Sequence, residues 1–337
     1  MSRHNGISGG DWRRDAVFIV ISIAVIMATI IILIKSGLAK ARYEPPKYPF
    51  YLVISELIYL AQLSLVGLRL SIIFDRGMGY RVGTGELIKI AAAQTFTSLL
   101  VPGFYIGGEA VSIAYLTFKG LPTTRATEGI VLRYTVDTIT LTSIVLVLYL
   151  LSLVAVPYIA LIMALILLLA YVVLFIAIVS ARLGRYIEKV FRFISSKISI
   201  ASNFILINEG EVYGIKLTVI DYLALFLASI IQWVLSGLNV VMIFYALGIH
   251  ISLVSGILIS SSYIILTYIS VLPGSAGIGE LANLYILNSL GLGSYYLAYD
   301  VWFRVITYVV PLIILMPAFL SISRKLAMIG TNHRSPQ

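Results

Sequence analysis

A short phrase of the form P-G-x4-G-E occurs twice in this chain. It covers residues 102–109 and again residues 273–280, so the two copies are 171 positions apart. Each copy interrupts an otherwise apolar stretch. Proline lacks a backbone N–H and glycine accepts unusual backbone angles, so both residues break helices. The helix-breaking residues are Pro102, Gly103, Gly107 and Gly108 in the first copy, and Pro273, Gly274, Gly277 and Gly279 in the second.

Each phrase ends on a glutamate, and an arginine follows that glutamate after 24 residues. The pairs are Glu109 with Arg133 and Glu280 with Arg304, and Asp137 stands one helical turn after Arg133. Arginine suits a phosphate group, because its planar fork donates two parallel hydrogen bonds. The alternative is an internal salt bridge to a nearby carboxylate, and the spacing is compatible with both.

The elements that must hold these residues are membrane helices. The sequence is 60% hydrophobic and 12% charged, whereas soluble domains carry about 25% charged residues. We therefore expect an all-α polytopic integral membrane protein that forms a single membrane domain over residues 1–337. The net charge of +9 fits membrane orientation or anionic lipid head groups rather than nucleic acid. There is no cysteine, no histidine cluster and no nucleotide-binding motif, so neither a metal site nor a cofactor is predicted.

The position of the two glutamates in the chain gives them two possible roles. Each falls in the first turn of the helix that follows a break, where free N–H groups and the helix dipole form an anion site. A glutamate there can simply cap the helix. However, an ionisable residue inside a membrane costs about 2.5–3.5 kcal/mol on insertion scales, which points to function. Glu109 and Glu280 are thus also candidates for a gate or a proton or cation site.

Apolar runs predict where helices cross the membrane. Uninterrupted spans are expected at about 50–73, 129–154, 158–179, 217–247 and 296–322, and spans broken by the phrase at 86–118 and 252–290. An earlier run, at 16–34, is longer than the ~7–15 residues of a signal-peptide core, which favours an uncleaved span.

The order of these spans predicts two repeats, at about 50–154 and 217–322, joined by a basic segment. In that segment, about 182–205, apolar residues recur at helical spacing. It is either an amphipathic helix lying in the membrane interface or an ordinary cytoplasmic connector.

The distribution of positive charge selects a topology. Suppose that the N-terminus is cytoplasmic and that each broken segment is a re-entrant hairpin returning to its starting side. Then 18 arginines and lysines, Arg69 among them, lie inside and 4 outside, with Arg133 and Arg304 set aside as intramembrane. Full crossings would move the basic segment outside, against the positive-inside rule. We therefore predict a multi-pass protein of the cell membrane with both termini cytoplasmic.

This topology inverts one repeat relative to the other, because three crossings separate their first helices. The two phrases would then enter from opposite faces and meet near the midplane. Inverted repeats with broken helices at a central site are a recurrent plan among transporters.

At these residues the sequence resembles the transmembrane-region family of lysylphosphatidylglycerol synthases. The first motif of that family is like P-x-x-x-G-[GE]-x with a downstream arginine and aspartate. Pro102, Gly107, Gly108 and Glu109 resemble it, with one more residue between the proline and the glycine, and Arg133 and Asp137 follow. The second, L-P-G-G-x-G-x-x-E with an arginine in the last span, is matched from Leu272 to Glu280 and by Arg304, although Ser275 and Ala276 depart from the usual glycine. The resemblance extends over about residues 15–322. It implies a flippase-like membrane region, here a stand-alone member without the aminoacyl transferase domain of larger members.

These observations favour a lipid flippase. We expect it to move an anionic, phosphate-bearing lipid between leaflets, with an anionic phospholipid or a polyprenyl-phosphate-linked head group held by Arg133, Arg304 and the half-helix N-termini. Two alternatives stay open: an ion- or proton-coupled transporter of small solutes, and an intramembrane lipid-modifying transferase. An enzyme is the less favoured class, because no loop clusters several carboxylates with histidine. The sequence predicts no particular oligomeric state.

Overall fold

The computed structural model describes residues 45–100, 108–151, 157–179, 215–268, 270 and 275–332. Several predicted features lie outside these residues. They are the span at 16–34, the interfacial helix at 182–205, and Pro102, Gly103, Gly107, Pro273 and Gly274.

The described residues form helices and no strands. Those of the first half are α1 (Phe50–Ser71, continued by a π-helical turn, Ile72–Gly77), α2 (Thr84–Leu100), α3 (Glu109–Phe118) and α4 (Thr123–Leu150), followed by α5 (Tyr158–Val179). Those of the second half are α6 (Val219–Ala246), α7 (Leu253–Thr267), α8 (Ile278–Ser289), α9 (Tyr296–Arg304) and, after a π-helical turn (Val305–Val309), α10 (Val310–Asn332).

The predicted all-α, multi-pass membrane architecture is confirmed. Five described helices are long and apolar enough to cross a membrane, namely Phe50–Gly77, Thr123–Leu150, Tyr158–Val179, Val219–Ala246 and Gly293–Leu326. Each overlaps one of the uninterrupted spans expected from the apolar runs. The last span is less regular than expected, because it contains the π-helical turn directly after Arg304 and a proline, Pro317.

Four helices recur in the same order in the two halves, when α9, the π-helical turn and α10 are counted as one interrupted helix. In each half the first helix packs on the second, the second on the third and the third on the fourth. The last helix of each half also packs against the second helix of the other half, α10 against α2 and α4 against α7. A glycine permits close approach of the first two helices in both halves: an added Cβ would lie 2.8 Å from the Ile88 nitrogen at Gly67 and 2.6 Å from the Ile257 nitrogen at Gly237.

The corresponding helices α1 and α6 are neighbours and run antiparallel over their whole length. The Tyr48 N–H, just before α1, donates to the carbonyl of Ala246 at the end of α6 (2.9 Å). At the other end, the Lys216 N–H, just before α6, donates to the carbonyl of Gly77 (3.1 Å). Contacts at both ends exclude a crossed arrangement, so the two halves meet along this pair.

The two ends of the first broken segment lie together. Glu86, near the start of α2, is paired with Lys119, just after α3 (Oε1 to Nζ, 3.0 Å). Tyr115 of α3 donates to the same glutamate oxygen (2.6 Å), and Lys325 of α10 donates to the Tyr115 hydroxyl (2.9 Å). Helices α2 and α3 therefore form a hairpin whose open end is fastened to the last helix.

The ends of the second broken segment also approach each other. Residues from 250–255, around the start of α7, and from 289–292, around the end of α8, line a common surface pocket. The two halves thus share the hairpin arrangement of their second and third helices.

Replacing Glu86 with glutamine is expected to weaken the fastening of the first hairpin. The Tyr115 hydroxyl, followed by Lys119 and Lys325, lowers the pKa of this carboxyl. A lowered pKa means that the stabilisation is present at neutral pH and is lost as the pH falls through the folded-state value. Because the group is partly exposed, we expect a loss of about 0–1 kcal/mol at pH 7 and a smaller loss in acid.

Thermal unfolding in detergent at pH 7 and at pH 4 measures this effect. Glu128→Gln, at a glutamate on α4 outside the hairpin, is the control. An equal loss of stability for Glu86→Gln at both pH values would contradict the assignment.

One detail of the predicted charge distribution is wrong. The predicted topology places Arg69 among the cytoplasmic charges, but the residue lies within α1 and is only 1% exposed. Its removal leaves 17 charges inside against 4 outside, so the preference for cytoplasmic termini is unchanged.

Candidate functional site

The two halves meet around a cavity of about 310 Å³. This volume lies at the lower end of the range of ligand pockets, about 300–1,000 Å³. Arg133 from the first half and Arg304 from the second both line it. Other polar residues complete its wall, among them Gln62, Gln94, Asp137, Gln232, Asn239 and Tyr263. The structure therefore brings the two repeated arginines into one site.

Arg133 lines this cavity and has two buried hydrogen-bond donors without a partner among the described residues. The residue is 5% exposed, and its guanidinium lies over the ring of Tyr134, 3.8 Å from the ring centre. Nη1 is 3.5 Å from Oδ2 of Asp137. Nε and Nη2 are buried and have no hydrogen-bond partner among the described residues. Because such donors are costly to leave unpaired, they mark the place where an anionic ligand would gain most.

Asp137 interacts more closely with Arg69 than with Arg133. Arg69 and Ser229 both donate to Oδ1 of Asp137, the serine at 2.8 Å. The other terminal nitrogen of Arg69 donates to the side chain of Gln232. This buried network ties α1, α4 and α6 together at the cavity wall. As a result Arg133 is left as the weaker partner of Asp137 and keeps donors for a ligand.

Glu109 is held by neutral groups. It is 5% exposed, at the first position of α3. Its Oε1 accepts hydrogen bonds from the Tyr134 hydroxyl and from Nε2 of Gln94 (3.1 Å), and Ser112 donates to the other end of that amide (2.8 Å). Oε2 has no hydrogen-bond partner in the described part of the chain. Tyr134 thus contacts both residues: its hydroxyl donates to Glu109, and the Arg133 guanidinium stacks on its ring.

Glu280 is held in a different way, by charge. Its Oε1 lies 2.6 Å from Nη2 of Arg304, and its Oε2 accepts the N–H of Gly277 (2.6 Å). Asp300, one turn before Arg304, is buried and accepts a hydrogen bond from Asn283 (2.7 Å). The contacts at Glu280 are therefore those of a helix cap and an internal salt bridge, the two structural roles that the sequence had left open.

The neighbouring residues explain why the two glutamates differ. At the offset of 171 residues, Tyr134 corresponds to Val305 and Gln94 to Ile265. The second half therefore lacks the hydroxyl and the amide that hold Glu109, and its glutamate bonds to the arginine instead. These substitutions are visible in the sequence, whereas the bonds of Arg69 and Ser229 to Asp137, and of Arg69 to Gln232, are not.

The glycine before each glutamate is required by a close approach. At Gly108 an added Cβ would collide with the backbone of Gln94, lying 2.9 Å from its carbonyl carbon. At Gly279 it would lie 2.8 Å from the Tyr263 hydroxyl and would also meet the Arg304 guanidinium. The G-E pair of the repeated phrase thus lets each half-helix begin directly against its neighbours.

Replacing Gly108 with alanine is expected to destabilise the protein by about 1–3 kcal/mol, because the collision is with backbone of α2 that cannot move aside cheaply. Gly279→Ala should cost less, since the atoms it meets end flexible side chains. Gly83→Ala, with no atom within 4 Å of the added group, is the control. Thermal unfolding in detergent measures all three, and equal stability of Gly108→Ala and Gly83→Ala would contradict the prediction.

Comparison with known proteins supports a lipid-related membrane role. A search of curated proteins finds no match for the sequence. A comparison with protein families matches residues 16–314 to the family described as the lysylphosphatidylglycerol synthase TM region. The match contains both halves of the cavity and every predicted site residue. This chain therefore belongs to the lysylphosphatidylglycerol synthase TM region family.

Proposed function

We propose that this protein is a flippase that moves an anionic, phosphate-bearing lipid or lipid-linked intermediate from one leaflet to the other. The observation that carries the proposal is Arg133, whose Nε and Nη2 are buried beside the shared cavity without a hydrogen-bond partner among the described residues. A phosphate oxygen accepts such donors with good geometry. The family supports a lipid as the molecule that carries the phosphate.

In this proposal the two halves are inverted repeats, and α2–α3 and α7–α8 are re-entrant hairpins. Three observations support the arrangement. The equivalent helices α1 and α6 run antiparallel, the ends of each hairpin lie together, and the last helix of each half packs on the hairpin of the other. Such a pair of repeats can rock around a fixed central site, which gives alternating access. The charge count supports a cell-membrane location with both termini cytoplasmic.

In this proposal each site residue has a different role in binding the lipid head group. Arg133 contacts the phosphate, while Arg304, held in place and neutralised by Glu280, lines the cavity from the opposite half. Asp137 is kept occupied by Arg69. Glu109 is the first residue of α3. It gates the site through Tyr134, which bonds to Glu109 and lines the cavity. A cavity of about 310 Å³ accommodates a head group, so the acyl chains remain in the surrounding lipid.

Reconstitution into vesicles tests this function. A trace of lipid with a fluorescent label on one acyl chain and an unmodified head group is quenched from outside, and the fraction that becomes accessible over time gives the flipping rate. Phosphatidylglycerol is expected to flip faster than phosphatidylcholine with the same chains, and faster than in protein-free vesicles. Rates equal to those of protein-free vesicles for every lipid would overturn the proposal. Uptake of free phosphate without lipid movement would instead support the small-solute transporter.

A further inference from the structure

We propose that Glu56 of α1 is a proton-binding site whose protonation is coupled to transport. The coupling rests on the proposed function, whereas the proton site itself rests on the geometry of α1. None of the sequence motifs pointed to this residue, because its helix reads as an ordinary apolar span.

The environment of Glu56 is that of an unpaired buried acid. The residue is 9% exposed, and both carboxyl oxygens are buried without a hydrogen-bond partner among the described residues. It lies in a helix that is long and apolar enough to cross a membrane. An ionised carboxylate in such a place lacks both water and a counter-charge, so the neutral acid is the favoured form. Acidic residues at this depth commonly relay protons in transporters.

Its place on the helix connects Glu56 to the cavity. The face of α1 that lines the cavity carries Tyr59, Gln62, Leu63 and Val66. Glu56 lies three residues before Tyr59 and seven before Leu63, on the same stripe of the helix. The rise of a helix places it about 4.5 Å further along the axis than Tyr59. Glu56 is therefore one helical turn from the residues that line the cavity, and this is the distance that a proton would have to cross.

The same stretch of α1 lies beside the π-helical turn that follows Arg304. Helix α1 contacts Val305–Val309 directly. One turn further on, Leu60 and Leu63 share a hydrophobic cluster with Leu312 and Leu315 of α10. Both α1 and α10 run antiparallel to α2, so they are parallel to each other. Glu56 precedes Leu63 on α1 by about the same distance as the π-helical turn precedes Leu315 on α10, so Glu56 and this turn lie at the same level. Such turns occur frequently at functional sites. A movement of this turn on protonation would connect the charge of Glu56 to the position of Arg304.

No described group supplies a charge to Glu56. The titratable side chains on the elements packed against α1 are Glu86 and Lys89 on α2, Arg125, Glu128, Arg133, Tyr134, Asp137 and Tyr149 on α4, Asp221, Tyr222 and Tyr245 on α6, and Tyr308 on the π-helical turn. Among the described residues, none of these forms a hydrogen bond or an ion pair with Glu56. The backbone beside it is also occupied, because Asn239 of α6 donates to the carbonyl of Ser55 (2.7 Å).

A proton fits this site better than a metal ion. A metal ion requires several oxygen or nitrogen ligands, and the described residues contain no group of three acidic, histidine or cysteine side chains that could hold one. A single carboxyl needs only one proton. The cycle is balanced without any other reactant: the carboxylate takes a proton from water on one side of the membrane and returns it to water on the other.

Infrared spectroscopy of the whole protein in vesicles tests the proton site directly. At pH 7 the wild-type protein is expected to show the C=O stretch of a buried protonated carboxyl, and Glu56→Gln is expected to lose it. Glu128→Gln, which removes a half-buried glutamate bonded to Arg125 (3.5 Å), is the matched control and should keep the band. Glu56→Asp should keep a shifted band, which guards against a folding defect in the glutamine variant. An unchanged band in Glu56→Gln would overturn the proposal.

A pH gradient tests the coupling. With one proton carried per lipid, a difference of one pH unit is expected to concentrate a labelled anionic lipid about tenfold in one leaflet. Glu56→Gln should flip the lipid but distribute it evenly, and Glu56→Asp should restore the asymmetry. An even distribution in the wild type, or an uneven one in Glu56→Gln, would overturn the coupling. Absence of any lipid movement by the wild type would overturn the proposed function, while the infrared band would still decide whether Glu56 holds a proton.

Discussion

Replacing Arg133 with alanine is expected to reduce the movement of anionic lipid to the rate of protein-free vesicles, while the protein remains folded. The guanidinium has only one ion-pair contact, 3.5 Å from Asp137, and its Nε and Nη2 have no hydrogen-bond partner among the described residues. Removal of the guanidinium should therefore reduce the affinity for the ligand more than it reduces the stability of the fold. Two charge-assisted hydrogen bonds to a phosphate, at about 1.5 kcal/mol each, correspond to roughly a 100-fold loss of affinity.

The initial flipping rate, measured against the mole fraction of anionic lipid, separates affinity from capacity. Arg133→Lys keeps the charge but loses the fork, so an intermediate rate is expected. Arg81→Ala, at an exposed arginine, is the control and should flip lipid normally. Arg304→Ala is expected to lose both stability and transport, because it leaves the Glu280 carboxylate without its 2.6 Å partner. A wild-type rate for Arg133→Ala at low lipid fractions would remove Arg133 from the head-group site.

Local sequence patterns predicted the helices well. Apolar runs gave five of the crossing helices, and the P-G-x4-G-E phrase located the starts of α3 and α8, because hydropathy and helix breaking depend on neighbouring residues alone. The repetition of the phrase also identified Arg133 and Arg304, which the fold brings to one cavity.

Pairing between distant residues could not be predicted in the same way. Arg69 and Asp137 are 68 positions apart, and nothing in either segment indicates that their helices meet. The sequence therefore placed Arg69 with the cytoplasmic charges, although an arginine inside the apolar run at 50–73 was a signal that it lies in the interior. Glu56 was missed in the same run, because a single acid carries no motif.

Part of the chemical difference between the two halves could be predicted from the sequence. The sequence showed that Asp137 has no acidic counterpart in the second repeat. It could not show that Arg69 takes up most of the hydrogen-bonding capacity of Asp137 and leaves the Arg133 donors free. That consequence depends on the packing of α1 against α4 and α6, which only the three-dimensional arrangement reveals.

Replacing Arg69 with methionine is expected to destabilise the protein by about 3–5 kcal/mol, because it breaks a buried ion pair and leaves the aspartate without its main partner. Unfolding in detergent, followed by tryptophan fluorescence, measures the loss. Arg76→Met is the matched control: it lies on the same helix and also pairs with an aspartate of another helix, Asp221, but its side chain is 63% exposed. Exposed pairs contribute about 0–1 kcal/mol, so similar losses in the two variants would contradict the buried network.

The double variant Arg69→Met with Asp137→Asn then separates stability from ligand binding. Arg69, Arg133 and Asp137 together carry one excess positive charge. The single variant removes that excess and frees Asp137 to occupy the donors of Arg133, so lipid movement should fall even though Arg133 is intact. The double variant restores the excess charge and removes the competing carboxylate, so both stability and transport should partly return. Recovery of the fold without recovery of transport would mean that Asp137 itself acts on the lipid, rather than being kept away from Arg133 by Arg69.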